Sequence, residues 1–428
     1  MIDRRKVLIG GSAMVAGTFS GGSGGAEGVP ERQFQTITDE LQVAMAAHVT
    51  PDNLPGLVYG VRRGQDQVIT AIGNADIESV VPMREDAIFR MASLTKPVTG
   101  VAAMILVEDG LIAIDEPVDR LLPELANRRV LRDLTSQIDD TVPADRAITV
   151  EDLLTCRMGM GFIFAPGEYP INAALDARDL TIFPRLHPPE FASGDAWIAA
   201  LSELPLMHQP GTSWMYDTSV MALGVLIERA SGQTLPDFCQ SRIFGPLGMN
   251  DTGFHVPAEK ADRLPPCYWR NFMTGEVEAS DPGGDRSWFA NSPGFASAAG
   301  GLVSTAADFM TFATAMLRRG AYEGGRLISQ ASYAQMTANH VTSDQTAASP
   351  LGPGFWDKTG WGYCTAIFTA RESTDPQGVG WMGGYGTACA WDHDSKTVGL
   401  LLTSRLFDTF DDPHLQDFWL GMGRLRAT

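Results

Sequence analysis

Ser93-Leu94-Thr95-Lys96 puts a hydroxyl and an amine three positions apart, just before an apolar stretch that runs from Pro97 to Asp109 and stops at Gly110. Proline is tolerated in the first turn of a helix and glycine ends one, so the pattern predicts a buried helix that starts close to Ser93. Residues three apart share a helix face, which brings Ser93 Oγ and Lys96 Nζ within reach of each other. Unpaired N–H groups and the positive end of the helix dipole would lie beside the hydroxyl. A lysine among Val98, Val101 and Met104 is expected to be desolvated; its neutral form is then favoured and takes the serine proton. The bland counterpart is a serine helix cap beside a solvated lysine.

A second segment, Pro210-Gly211-Thr212-Ser213-Trp214-Met215-Tyr216-Asp217-Thr218-Ser219, leads into a helix that ends at Ala230-Ser231-Gly232. Tyrosine at such a junction can project its phenol into a cleft, where a nearby ammonium lowers its pKa and suits it to proton transfer. A core aromatic with a satisfied hydroxyl fits the same residues equally well.

The elements that must hold these groups are legible at both ends of the chain. Gly56 to Val61 and Val68 to Ile72 read as a hairpin, and Tyr363 to Thr369, Gly386 to Trp391 and Val398 to Thr403 as further strands. Between them Glu151 to Cys156, Ala196 to Leu204, Val220 to Ala230, Pro236 to Ile243 and Ala306 to Arg318 read as helices, and Pro413 to Leu425 closes the chain. Strands from both termini around a helical middle predict an α/β domain from 29–112 with 300–428, and a mainly helical domain over 113–299. Residues 1–28 are expected to be an export leader and linker. Arg4-Arg5-Lys6 precedes a short apolar run, in the manner of a twin-arginine signal to the periplasm, with Ala26 the best cleavage point. Without such a signal the protein would be cytoplasmic.

Composition excludes several functions. The chain has 428 residues, 44% of them hydrophobic, and a net charge of −19, which repels nucleic acid and anionic membranes. No apolar run is long enough for a membrane helix. Five cysteines without a C-x-x-C, and seven scattered histidines without an H-E-x-x-H, predict no metal. No phosphate loop follows a strand, so no cofactor is expected.

From Leu54 to Thr403 the sequence resembles serine hydrolases of the class C β-lactamase fold, and within them the family VIII carboxylesterases. The resemblance is carried by Ser93-Leu94-Thr95-Lys96, Leu153-Leu154-Thr155, Pro210-Gly211-Thr212 with Tyr216, Ile243-Phe244-Gly245-Pro246-Leu247-Gly248-Met249 with Asp251-Thr252, Gly300-Gly301-Leu302-Val303-Ser304-Thr305 and Trp381-Met382-Gly383-Gly384. It implies an antiparallel sheet flanked by helices with a mainly helical second domain. It also implies that Ser93 is acylated, that Lys96 and Tyr216 move its proton, and that the N–H groups of Ser93 and Gly384 form the oxyanion hole.

Departures from the family pattern point to the substrate. Penicillin-recognising relatives resemble Tyr-x-Asn and Lys-Thr-Gly where this chain has Tyr216-Asp217-Thr218 and Trp381-Met382-Gly383. Thr218 lacks the two-ended amide that binds an acylamino group, and Trp381 removes the cation that would pair a carboxylate. With Trp381, Met382, Gly383 and Thr218 lining the site, a neutral small-molecule ester fits best, with weak β-lactam hydrolysis as a side activity. Cys156 stands where relatives resemble histidine and is expected to be packed. Lys358-Thr359-Gly360 spells the third motif outright, but Pro350-Leu351-Gly352-Pro353-Gly354 before it reads as a loop, so Trp381 is preferred. An acyltransferase, a D-aminopeptidase or a β-lactamase on the same site are the rival readings, and a non-catalytic binding protein retaining the fold is another.

Overall fold

Strand-forming runs from the two ends of the sequence meet in one sheet. The structure is a computed structural model and describes residues 31–427 apart from 51, 79, 181–189, 272, 348, 350, 352–353, 370–374 and 410–411. The expected leader and its cleavage point lie outside the described residues. The main sheet has seven strands: β1 (Gly56–Arg63), β2 (Asp66–Gly73), β3 (Thr359–Trp361), β4 (Ala366–Phe368), β5 (Gly378–Gly383), β6 (Thr387–Asp392) and β7 (Thr397–Thr403). Their spatial order is β3-β4-β5-β6-β7-β1-β2, every pair antiparallel. Leu57 pairs with Thr403, so the last strand closes onto the first and ties the two ends of the sequence together. The β-lactamase-like fold expected from the sequence is present.

Helices cover both faces. The named helices are α1 (Glu31–Ala46), α2 (Thr95–Glu108), α3 (Val150–Leu154), α4 (Gly194–Ser202), α5 (Thr218–Ser231), α6 (Ala306–Leu317) and α7 (Pro413–Ala427). Two strand glycines set their approach. A Cβ on Gly60 would come 2.8 Å from Met310 of α6, and one on Gly399 would come 3.0 Å from Met422 of α7. Gly60 pairs with Leu400 and Gly399 with Val61, so the two glycines point to opposite faces and open the sheet to one helix each. Helix α1 lies against α7, burying Phe34, Ile37, Leu41 and Met45 at helical spacing.

Two expectations shift. The segment Pro236 to Ile243 is helical only over Leu235–Cys239 and then widens into a π-turn over Gln240–Phe244. Thr359–Trp361, expected in a loop setting, is the edge strand β3 and forms a hairpin with β4. Strand character therefore does not distinguish Lys358-Thr359-Gly360 from Trp381-Met382-Gly383; position in the sheet does. β3 is two strands removed from β5, which borders the Ser93 turn.

Candidate active site

Ser93 sits in a single 3-10 turn (Ala92–Leu94) that runs straight into α2, whose cap residue is Leu94, so Ser93 is not the helix cap. The turn is pinned from both sides. Met91 N–H donates to Leu302 O at 2.8 Å, Thr95 Oγ donates to Ala92 O at 2.6 Å, and Leu302 N–H donates to Thr95 Oγ at 3.1 Å. Thr387 Oγ of β6 donates to Met91 O at 2.9 Å. Together these hold Ala92 at φ 46°, a left-handed conformation that costs a non-glycine residue on the order of 1–3 kcal/mol and survives only where neighbours impose it. The Gly300–Thr305 segment thus acts as the clamp on the Ser93 turn, with Val303 and Ser304 pairing with Arg90 and Phe89.

Lys96 is fully buried. Its Nζ donates to Ser93 Oγ at 3.1 Å, to Ala299 O at 2.8 Å and to Asp217 Oδ1 at 2.7 Å, and lies 4.3 Å from the centre of the Tyr216 ring. Burial alone pulls its pKa down, but the charges of Asp217 and Tyr216 outweigh burial and leave it above the ordinary lysine value. The Asp217 carboxylate at 2.7 Å opposes the neutral amine expected from the apolar neighbours. The sequence reading counted the apolar neighbours and missed the carboxylate.

Tyr216 is placed by strand-like bonds to the segment after α3. Met215 N–H donates to Cys156 O at 2.7 Å and Phe162 N–H to Tyr216 O at 3.0 Å. Gly161 is required there, since a Cβ would fall 2.4 Å from Tyr216 O. The phenol oxygen accepts from Trp381 Nε1–H at 2.7 Å. Burial raises the Tyr216 pKa; the Lys96 ammonium and hydrogen bonds with Ser93 and Trp381 offset only part of the rise. The expected lowering is present as a contribution and loses to desolvation.

Asp217 reaches Lys96 although sequence reasoning passed over it. It lies between Tyr216 and α5 at φ 84°, ψ −63°, and Thr218 N–H donates back to Tyr216 O at 3.2 Å. This is a γ-turn, rare and strained for a residue with a side chain. An acidic residue beside the tyrosine was visible, but nothing in the sequence indicated that the turn folds its carboxylate back onto Lys96.

The remaining candidates fall around this centre. Gly383 packs on the Ser93 turn: a Cβ there would lie 2.4 Å from Met91 O and 3.2 Å from Ala92 Cβ. Gly384 follows at the exposed start of the β5–β6 turn. Met382 is buried in β5, and Thr218 is half-buried at the first position of α5. Phe162 and Phe164 stand edge-on or tilted to Tyr216 at 5.9 and 6.5 Å, and Trp214 stacks on it at 5.5 Å. Trp361 meets Trp381 edge-on at 4.8 Å. Cys156 is buried, and burial pushes its thiol up to about 12, which suits packing. Lys358 pairs instead with Asp375 at 3.0 Å, on the far edge of the sheet. Among the described residues, no group of His, Cys, Asp and Glu side chains is arranged to hold a metal, and no helix is long and apolar enough to cross a membrane.

Comparison with known proteins agrees with this architecture. The lovastatin esterase of Penicillium rubens is 31% identical over 389 residues, covering 85% of this chain and 88% of that protein. Esterase EstB of Burkholderia gladioli is 30% identical over 368 residues, covering 82% and 86%. The solved structure of EstCE1, a hydrolase with promiscuous acyltransferase activity, superposes with a TM-score of 0.72 over 90% of this chain and 99% of that one, at 22% identity. These relatives bear out the resemblance to β-lactamase-fold serine hydrolases of the family VIII type. The Beta-lactamase family profile matches residues 41–420, nearly the whole of the described chain, and the protein belongs to that family.

Proposed function

We propose that this protein is a serine hydrolase of carboxylic esters that works through an acyl-enzyme on Ser93. The observation that carries the reading is the convergence of Ser93 Oγ, Lys96 Nζ and the Tyr216 phenol on one point, beside a neutral indole at Trp381. Ser93 Oγ attacks the ester carbonyl and its proton passes into the Lys96–Tyr216 pair. The N–H groups of Ser93 and Gly384 receive the developing oxyanion. The proton then goes to the leaving alkoxide oxygen as the C–O bond breaks. Water repeats the sequence against the acyl-enzyme, losing its proton to the same pair, and releases the acid and Ser93.

Trp381 sets the substrate charge. An indole N–H donates one hydrogen bond and carries no charge, so it supports the phenol oxygen without attracting a carboxylate. Phe162 and Phe164, partly exposed beside Tyr216, favour apolar acyl or alcohol groups over charged β-lactams or D-amino-acid amides.

Burst release of p-nitrophenol from p-nitrophenyl butyrate, followed by steady turnover, is the expected result. Ser93→Ala should abolish both phases. Absence of turnover on any ester, or an unchanged rate in Ser93→Ala, overturns the reading. Because lovastatin esterase and EstB are named esterases while EstCE1 also transfers acyl groups, adding a short alcohol tests partition of the acyl-enzyme. Acid is expected to remain the main product; a dominant new ester would make the protein an acyltransferase.

A further inference from the structure

We propose that Asp217 is a positioning residue that keeps Lys96 charged throughout the reaction. This inference rests on the ester-hydrolase reading and assigns the division of labour within that site.

The first argument is charge balance. Asp217 is buried, 6% exposed, and Lys96 is wholly buried, and the two meet at 2.7 Å. The Asp217 Oδ2 atom has no hydrogen-bond partner among the described residues, so the carboxylate depends on Lys96 for its support. The other groups facing Lys96 are the Ser93 hydroxyl, the Ala299 carbonyl, the Tyr216 phenol from the loop before α5, and the thiols of Cys156 and Cys364. None of these is a cation. Were Lys96 to give up its charge, the carboxylate would be left buried without a counterion, at a cost on the order of several kcal/mol.

The second argument is conformational and independent of charge. Asp217 adopts φ 84°, in the γ-turn closed by Thr218 N–H and Tyr216 O. A non-glycine residue there stores strain on the order of 1–3 kcal/mol, which neighbouring structure must impose. The turn does one visible thing: it points Tyr216 and the Asp217 carboxylate to the same ammonium from adjacent positions.

Proton accounting follows. With Lys96 fixed as an ammonium, the base must be the Tyr216 phenolate. It takes the Ser93 proton during attack and returns it, as the phenol, to the leaving oxygen. Because burial holds the phenol above its ordinary pKa, the phenolate fraction grows throughout the neutral and alkaline range. The kcat/KM profile should therefore keep climbing with pH instead of levelling off near neutrality.

The Asp217 charge raises the proton affinity of both Lys96 and Tyr216. Its removal should move the rising limb of kcat/KM toward acid whichever of the two titrates, by roughly 1–3 pH units. Asp217→Asn keeps the shape and tolerates the turn; Asp217→Gly takes φ 84° without strain. Both are to be profiled on p-nitrophenyl butyrate with spontaneous hydrolysis subtracted. A shifted limb with a lower plateau is expected. A lower rate with the limb unmoved means that Asp217 is merely structural and overturns the proposal. Whether or not the variants fold, the unaltered enzyme assigns the base. A phenolate absorbance that is lost in Tyr216→Phe must rise along the activity limb, and a limb without that absorbance assigns the base to Lys96 and overturns the proposal. An unaltered protein that hydrolyses no ester defeats the ester reading instead, so the two failures are distinguishable.

Discussion

Two lysine–aspartate pairs lie at different places in the sheet architecture, and their contrast separates chemistry from surface electrostatics. Lys96 and Asp217 are 0% and 8% exposed at the side chain and meet at 2.7 Å; Lys358 and Asp375 are 40% and 19% exposed and meet at 3.0 Å. The distances are nearly alike. What differs is the surroundings: the first pair is wrapped in protein, where a charge cannot be exchanged for hydration, and the second shares its charge with water. The lysine that spells the family's third motif is therefore the one with the weaker chemical case, and the one whose aspartate partner lies 121 positions away in sequence carries the stronger.

The largest effect should come from breaking the buried pair. Lys96→Met leaves Asp217 buried without a counterion and should cost about 3–5 kcal/mol of stability, read by urea denaturation, along with esterase activity. Adding Asp217→Asn to that variant should recover part of the stability and none of the activity. A loss below about 1 kcal/mol in the single variant would mean that water reaches the pair and that the contrast drawn here is wrong.

An intermediate effect is expected at Trp381, which joins the two regions by lying between β3 and the phenol. Trp381→Phe removes the donor to Tyr216, a bond to a group that becomes charged, worth about 1.5–3 kcal/mol. This corresponds to a drop of roughly ten- to a hundredfold in kcat/KM. A fall of less than about threefold would show that the phenolate does not form beneath the indole.

The smallest effect belongs to the exposed pair. Lys358→Ala should change stability by about 0–1 kcal/mol and leave neutral-ester turnover within about twofold. If it selectively lowered turnover of anionic esters, Lys358 would have to reach the cleft and the preference for Trp381 would be overturned.

Much of the fold was legible because periodicity reports burial. The hairpin β1–β2, the strands β6 and β7, and helices α2, α5, α6 and α7 follow directly from apolar patterns and their glycine and proline stops. Helix α1 was overlooked although Phe34, Ile37, Leu41 and Met45 carry a helical spacing, because polar residues dominate between them. At the site, Ser93 and Lys96 were readable because one helical turn fixes their separation. Asp217 was not: its role depends on a positive φ and on a partner 121 positions away in sequence, and neither leaves a local pattern. The same blindness hides the electrostatics of Lys96, since local neighbours predict desolvation while a carboxylate arrives from a distant loop.

Gly384 offers a different kind of opportunity. A Cβ built on it meets nothing within 4 Å, whereas one on Gly383, a single residue earlier, would collide with the Ser93 turn. Residue 384 can therefore change size while its amide stays where it is. Diversifying this one position should retune which esters are accepted without asking the rest of the molecule to rearrange, a rare case where selectivity and foldability are decoupled by adjacent glycines.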